Sequence, residues 1–169
     1  MPFYYPNWIN DFWRIMGMIH FGDKDYFCIP VEKRFDEVLI RAFCAGQGLA
    51  FYDTACEIRR LKDNASDAFL EVITSTDIPN LLTRIPACRT LVTTGEKASS
   101  IVSKTFCCPV PPVGGYIEIT IGTRPIKFWR MPSTSRAYPL PLKKKANAYR
   151  RLFPDAPCKT SSEGLLFRL

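Results

Sequence analysis

The first half of the chain repeats its apolar residues at helical spacing. Trp8, Phe12, Ile15 and Ile19 recur near a 3.6-residue period behind Asn7, with Asn10 and Arg14 on the polar side. A helix is therefore expected over residues 7–19, capped by Asn7. Phe35, Val38, Leu39, Ala42 and Phe43 repeat the pattern, which stops at Gly46 to Gly48. Further helices are expected over residues 66–73 and 77–82. From Thr90 the period shortens. Thr90 to Thr93 reads as a strand, Thr94-Gly95 as a turn and residues 96–106 as a helix. After a Pro-rich connection, residues 116–121 alternate as a strand, Gly122-Thr123 turns the chain, and residues 125–131 return as the partner strand. Pro132, Pro139 and Pro141 make residues 133–141 a loop, and a basic helix closes the fold over residues 142–153.

These elements describe an α/β fold, with no internal repeat. The length of 169 residues suits a single domain, set at residues 1–153 with a loosely ordered tail at 154–169. Hydrophobic content of 47% and charged content of 23% are ordinary globular values and exclude a disordered or coiled-coil protein. No apolar run approaches the roughly 20 residues a membrane span needs. Met1 is followed by Pro2, aromatics and Asn7 rather than by a leader, so a soluble cytoplasmic chain with no membrane partner is expected. Seven scattered cysteines without a C-x-x-C pair point to reduced thiols and no metal site, and a lone His20 leaves little histidine chemistry.

Charge changes the picture. Residues 127–151 hold eight basic side chains and no acidic one, whereas the other 15 of the 23 Lys and Arg residues stand against 16 acidic ones. This segment carries the whole excess and is expected to form one basic face. Such a face attracts a polyanion, of which a phosphate backbone is the commonest; the plainer alternative is a solvated Lys-rich helix end.

Two stretches add chemistry. Phe3-Tyr4-Tyr5-Pro6-Asn7-Trp8-Ile9-Asn10-Asp11-Phe12-Trp13 resembles the aromatic-x-x-x-x-Asn-x-Phe-Trp signature of the uracil-DNA glycosylase superfamily, in its mismatch-specific and hypoxanthine-excising branches. Arg130-Met131-Pro132-Ser133-Thr134-Ser135 resembles the loop that this superfamily inserts into the minor groove. Between them, Gly48-Leu49-Ala50-Phe51-Tyr52-Asp53 and Thr93-Thr94-Gly95-Glu96-Lys97-Ala98 are similar to two further segments of that family, in the same order. In the family a first strand and a glycine- and proline-containing loop precede the aromatic segment. This chain starts at Met1-Pro2-Phe3, so either an internal start or a shortened relative is expected.

The resemblance implies a three-layer α/β/α sandwich with a short, mainly parallel sheet. It also implies a monofunctional DNA glycosylase that removes uracil or hypoxanthine without metal or cofactor. Its partner would be double-stranded DNA carrying a damaged or mismatched base, and the chain would act as a monomer. Asn10 would hold the attacking water; the alternative is an ordinary polar residue in a helix's first turn. Tyr5 would stack on the flipped base, or pack in the core. Asp53 would assist the water or cap a following helix. Ser133, Thr134, Ser135 and Lys143 would contact phosphates, and Arg136 would serve as wedge or as the contact to the orphan base, the alternative being a plain phosphate contact. The competing reading is a module that binds nucleic acid without catalysis; a weaker one is a hydrolase of free nucleosides or nucleotides.

Overall fold

A computed structural model of the protein describes residues 3–60 and 70–156, with backbone alone for residues 55–60 and 70–75. The chain divides into two compact units, one drawn from residues up to Leu49 together with those from Thr134 onward, the other from Ala50–Ser133. The molecule is mixed α/β.

In the first unit, helix α1 (Phe12–His20) buries Phe12, Trp13, Ile15, Met16 and Ile19. It starts five residues later than its periodicity predicts. Asn7 caps no helix; its side chain accepts from the N–H of Ile9 and its carbonyl from that of Asn10. The reason is tertiary. Asn10 forms an isolated antiparallel bridge with Ser135, and the Asp11 N–H donates to the Thr134 carbonyl at 2.9 Å. Those bonds hold the chain in a turn ahead of Asp11 where helical spacing alone would have continued the helix.

After α1 come a minimal antiparallel pair, β1 (Cys28–Ile29) with β2 (Arg34–Phe35), and then helix α2 (Glu37–Gln47). Both ends of α2 are locally encoded. Asp36 accepts the Leu39 N–H at 3.0 Å, and Gly48 terminates the helix in the left-handed region at φ 64°. The unit closes with α5 (Leu142–Tyr149), which packs on α1 and continues into a 3-10 turn, Arg150–Leu152. The tail expected after residue 153 lies outside the described residues beyond Ala156.

A tight approach in α1 gives a test of this packing. Gly17 accepts the N–H groups of both Phe21 and Asp23, and a Cβ there would collide with the Asp23 carbonyl, which is backbone and has no rotamer to change. Gly17→Ala should therefore cost about 1–3 kcal/mol despite alanine's better helix propensity, seen as a lower urea midpoint. An equal or higher midpoint would contradict the packing.

In the second unit, β3 (Ala55–Arg60) pairs antiparallel with β4 (Leu70–Ser75). The helix expected over residues 66–73 is thus corrected: residues 66–69 lie outside the described residues, and the rest is strand. Its Val72-Ile73-Thr74 run favours a pleated chain once a partner supplies the ladder, and periodicity does not register that partner. Helix α3 (Ile78–Thr83) follows, capped by Asp77, which accepts the Asn80 N–H.

The unit's sheet has the order β5–β7–β6, from β5 (Thr90–Thr94), β6 (Gly115–Ile121) and β7 (Arg124–Met131), with α4 (Glu96–Thr105) between β5 and β6. β5 runs parallel to β7 and β6 antiparallel, so the sheet is mixed rather than mainly parallel. The two-residue turn at Gly122-Thr123 dictates this, because so short a link joins only antiparallel strands. Pro125, the second residue of β7, stands ahead of the pairing with β5, which begins at Lys127, so the missing N–H breaks no parallel bond. Ile78, Leu82, Val102, Ile119, Ile126 and Phe128 form this unit's core.

Candidate functional site

The aromatic segment and the turn at residues 134–136, separated by some 125 positions in sequence, meet in the first unit. Asp11 is the centre of the junction. An Asp in front of a helix ordinarily accepts its first N–H groups. Here the Asp11 carboxylate is drawn elsewhere, with Oδ2 receiving Lys145 Nζ at 3.0 Å and Oδ1 receiving Arg136 Nε at 3.1 Å. Lys145 also donates to the Ser135 carbonyl at 2.7 Å. With Asp11 engaged, Asn10 takes over the helix start, its Oδ1 accepting the Phe12 N–H at 2.9 Å. Arg14, placed on the polar side by its spacing, is instead buried. It donates to the carbonyls of Trp8 and Asn10, and its guanidinium lies 4.2 Å from the Trp8 ring centroid.

Tyr5 reaches this region with a left-handed backbone, φ 55°, which is costly for a residue with a side chain. Its ring stacks on Phe12 with centroids 4.4 Å apart and planes 12° apart. One face of the ring is therefore covered by Phe12. Phe12 in turn meets Tyr149 edge-on at 6.3 Å. Burial pushes the Tyr149 hydroxyl well above its ordinary range, and the Tyr5 phenol adds to the shift.

The other expected site residues fare unevenly. Thr134 is 2% exposed, so its hydroxyl is not presented to a phosphate, and its contribution is the carbonyl bonded to Asp11. The Ser135 hydroxyl accepts the Ala137 N–H, which tightens the turn. Arg136 is 47% exposed and tied to Asp11 rather than extended. Lys143 is exposed on α5 and pairs with no acidic side chain among the described residues. Ser133 and Asp53 belong to the second unit. Asp53 precedes a strand, not the helix its capping role would need, and its carbonyl accepts the Thr76 hydroxyl at 2.6 Å.

The basic segment is more than a solvated run. Lys145 is internal, Arg130 approaches Glu96 at 3.8 Å, and Lys127 stands 5.2 Å from the Tyr116 ring centroid, the last two in the second unit. The expectation of one basic face is corrected to that extent, because part of the charge is neutralised inside the fold. Asp11, Arg14 and Lys145 carry no local motif, which is why sequence reasoning passes over them.

His20 lies at the end of α1 with its ring 4.9 Å from that of Phe43 and 4.7 Å from that of Phe153. Burial lowers its proton affinity, and Arg150 lowers it further. The unfolded chain protonates as pH falls through about 6.5 while the folded one resists, so stability should drop as pH falls from 7 toward 5.5. Melting wild type and His20→Phe across that range should show a shallower slope for the variant; equal slopes would contradict the burial. Burial also raises the thiols of Cys28, Cys44 and Cys108, keeping them protonated near neutrality.

Among the described residues no group of three or more His, Cys, Asp or Glu is arranged to hold a metal, and no helix is long and apolar enough to cross a membrane. Fold and site together define a mixed α/β protein with a cationic, hydrogen-bonded junction beside stacked aromatic rings. No family model, curated protein or solved structure matches the chain.

Proposed function

We propose that the protein is a monofunctional DNA glycosylase that excises a deaminated base, uracil or hypoxanthine, from double-stranded DNA. In this reading the fold is the three-layer sandwich of the uracil-DNA glycosylase superfamily, and the chain works as a cytoplasmic monomer without metal or cofactor. One observation carries the reading. The two stretches whose resemblance suggested it are bonded to each other through Asn10–Ser135 and Asp11–Thr134.

The chemistry follows from what those residues offer. The target base must leave the stack, at a cost of a few kcal/mol, before its glycosidic carbon is reachable. Arg136, Lys143 and the Ser135 backbone supply phosphate contacts, and the Tyr5 ring receives the base, a contact worth roughly 1–3 kcal/mol. Bond cleavage leaves an oxocarbenium-like sugar, and water attacks its anomeric carbon. The Asn10 oxygen has two lone pairs, one of them taken by the Phe12 N–H. The second is left to orient the water, and Nδ2 to donate to the base. For Asp53 the resemblance alone supports a role.

A second reading, a non-catalytic binder of nucleic acid, is favoured by the same bond to Phe12, because it gives Asn10 a sufficient structural task. Incubating the purified chain with duplexes carrying uracil or hypoxanthine, then cleaving abasic sites with alkali, separates the two. Lesion-dependent strand breaks are the expected result. Salt-sensitive retention of DNA without breaks would support the binder and overturn the enzyme.

A further inference from the structure

Lys145 ends a run of three lysines, yet α5 turns it inward beside Ala146 and Tyr149, where it is 1% exposed. An ammonium group offers three donors and no acceptor. Two of those donors are spent on the Asp11 carboxylate and on the Ser135 carbonyl. An apolar residue of similar volume would fill the space at comparable or better stability once Asp11 were neutral, so a buried charge here is poorly explained by stability alone. What it does supply is direction. It fixes a main-chain oxygen of the turn and a carboxylate of the aromatic segment to one point.

We infer that Lys145 is a positioning residue: its buried ammonium holds the Thr134–Arg136 turn in register with Asn10 and Asp11. The claim that this register serves excision rests on the glycosylase reading. The same arrangement readies Arg136. Asp11 receives two cations, and because Lys145 already neutralises it, Arg136 is able to exchange the carboxylate for a DNA phosphate without leaving a buried anion unpaired.

The decisive variant is the double substitution Asp11→Asn with Lys145→Met, which removes both charges and so avoids the instability that either change alone would bring. Its thermal midpoint should lie close to that of wild type. Excision of the lesion should nonetheless fall about 10²-fold, the usual consequence of a displacement near 1 Å. Amide hydrogen exchange gives a readout independent of catalysis: the Asp11 N–H, bonded to Thr134, should exchange faster in the double variant while core amides of α1 keep their protection. Unchanged protection at Asp11, or full wild-type excision by the double variant, would overturn the inference. A wild-type chain without excision whose Asp11 amide still responds in this way would sink the glycosylase reading and leave the positioning role standing.

Discussion

Asp11→Ala is expected to be the most destabilising single substitution at the junction, at about 3–5 kcal/mol, because it strands the Lys145 ammonium without its counter-charge. Domains of this kind are stable by roughly 5–15 kcal/mol in total, so the loss should be visible as a large fall in the urea midpoint. Arg136 cannot compensate; it carries the same sign and loses the same partner. The backbone bond from Asp11 to Thr134 survives the substitution chemically, which isolates the effect of the side chain. Adding Lys145→Met should recover most of the loss, a coupling that a double-mutant cycle reads directly. An Asp11→Ala protein within about 0.5 kcal/mol of wild type, the range of ordinary surface changes, would mean that the pair is not buried as described.

The largest effect on activity is expected at Asn10. On the proposed glycosylase reading Asn10 orients water and base, and its loss should reduce excision by about 10²–10⁴-fold, the range of a positioned polar group acting in the transition state. Asn10→Ala also removes the acceptor for the Phe12 N–H, worth about 1 kcal/mol, so the variant should melt slightly lower yet remain folded. Asn10→Asp separates the two tasks. It keeps an acceptor both for Phe12 and for water but gives up the Nδ2 donor, and should retain wild-type stability with activity between those of the alanine variant and the wild type. If Asn10→Ala excises as fast as wild type in single-turnover assays, Asn10 is only a cap and the binding-module reading gains.

Much of the architecture was legible because its signals are local. Gly48 ends α2, the stretch from Asp77 yields α3, and Gly122-Thr123 forces the β6–β7 hairpin, each through bonds made within a few residues, whereas Phe35, whose spacing fits the α2 pattern, is held in β2. The sheet partner of β4 and the late start of α1 were not legible, since both depend on pairing with a distant segment. The site divides along the same line. Tyr5, Asn10, Ser135 and Arg136 stood out by motif, whereas Arg14 and Lys145 looked like exposed cations of a polar face. Only the fold shows them inside, with Asp11 waiting 134 positions away from Lys145. Thr134 erred in the other direction, a hydroxyl expected at the surface that the chain buries.

In the proposed function a flipped base and its flanking phosphates are handled where the aromatic segment meets the turn. Titrating isotope-labelled protein with a duplex containing a stable abasic-site analogue, and following backbone amide shifts, tests this directly. The expected result is a cluster of perturbations at Tyr5, Asn10, Asp11 and Thr134 to Arg136, titrating with the lesion duplex and much weaker with undamaged DNA. Shifts confined to Lys143, Lys144 and Arg151, equal for both duplexes, would contradict the claim and leave a lysine-rich helix that binds any polyanion.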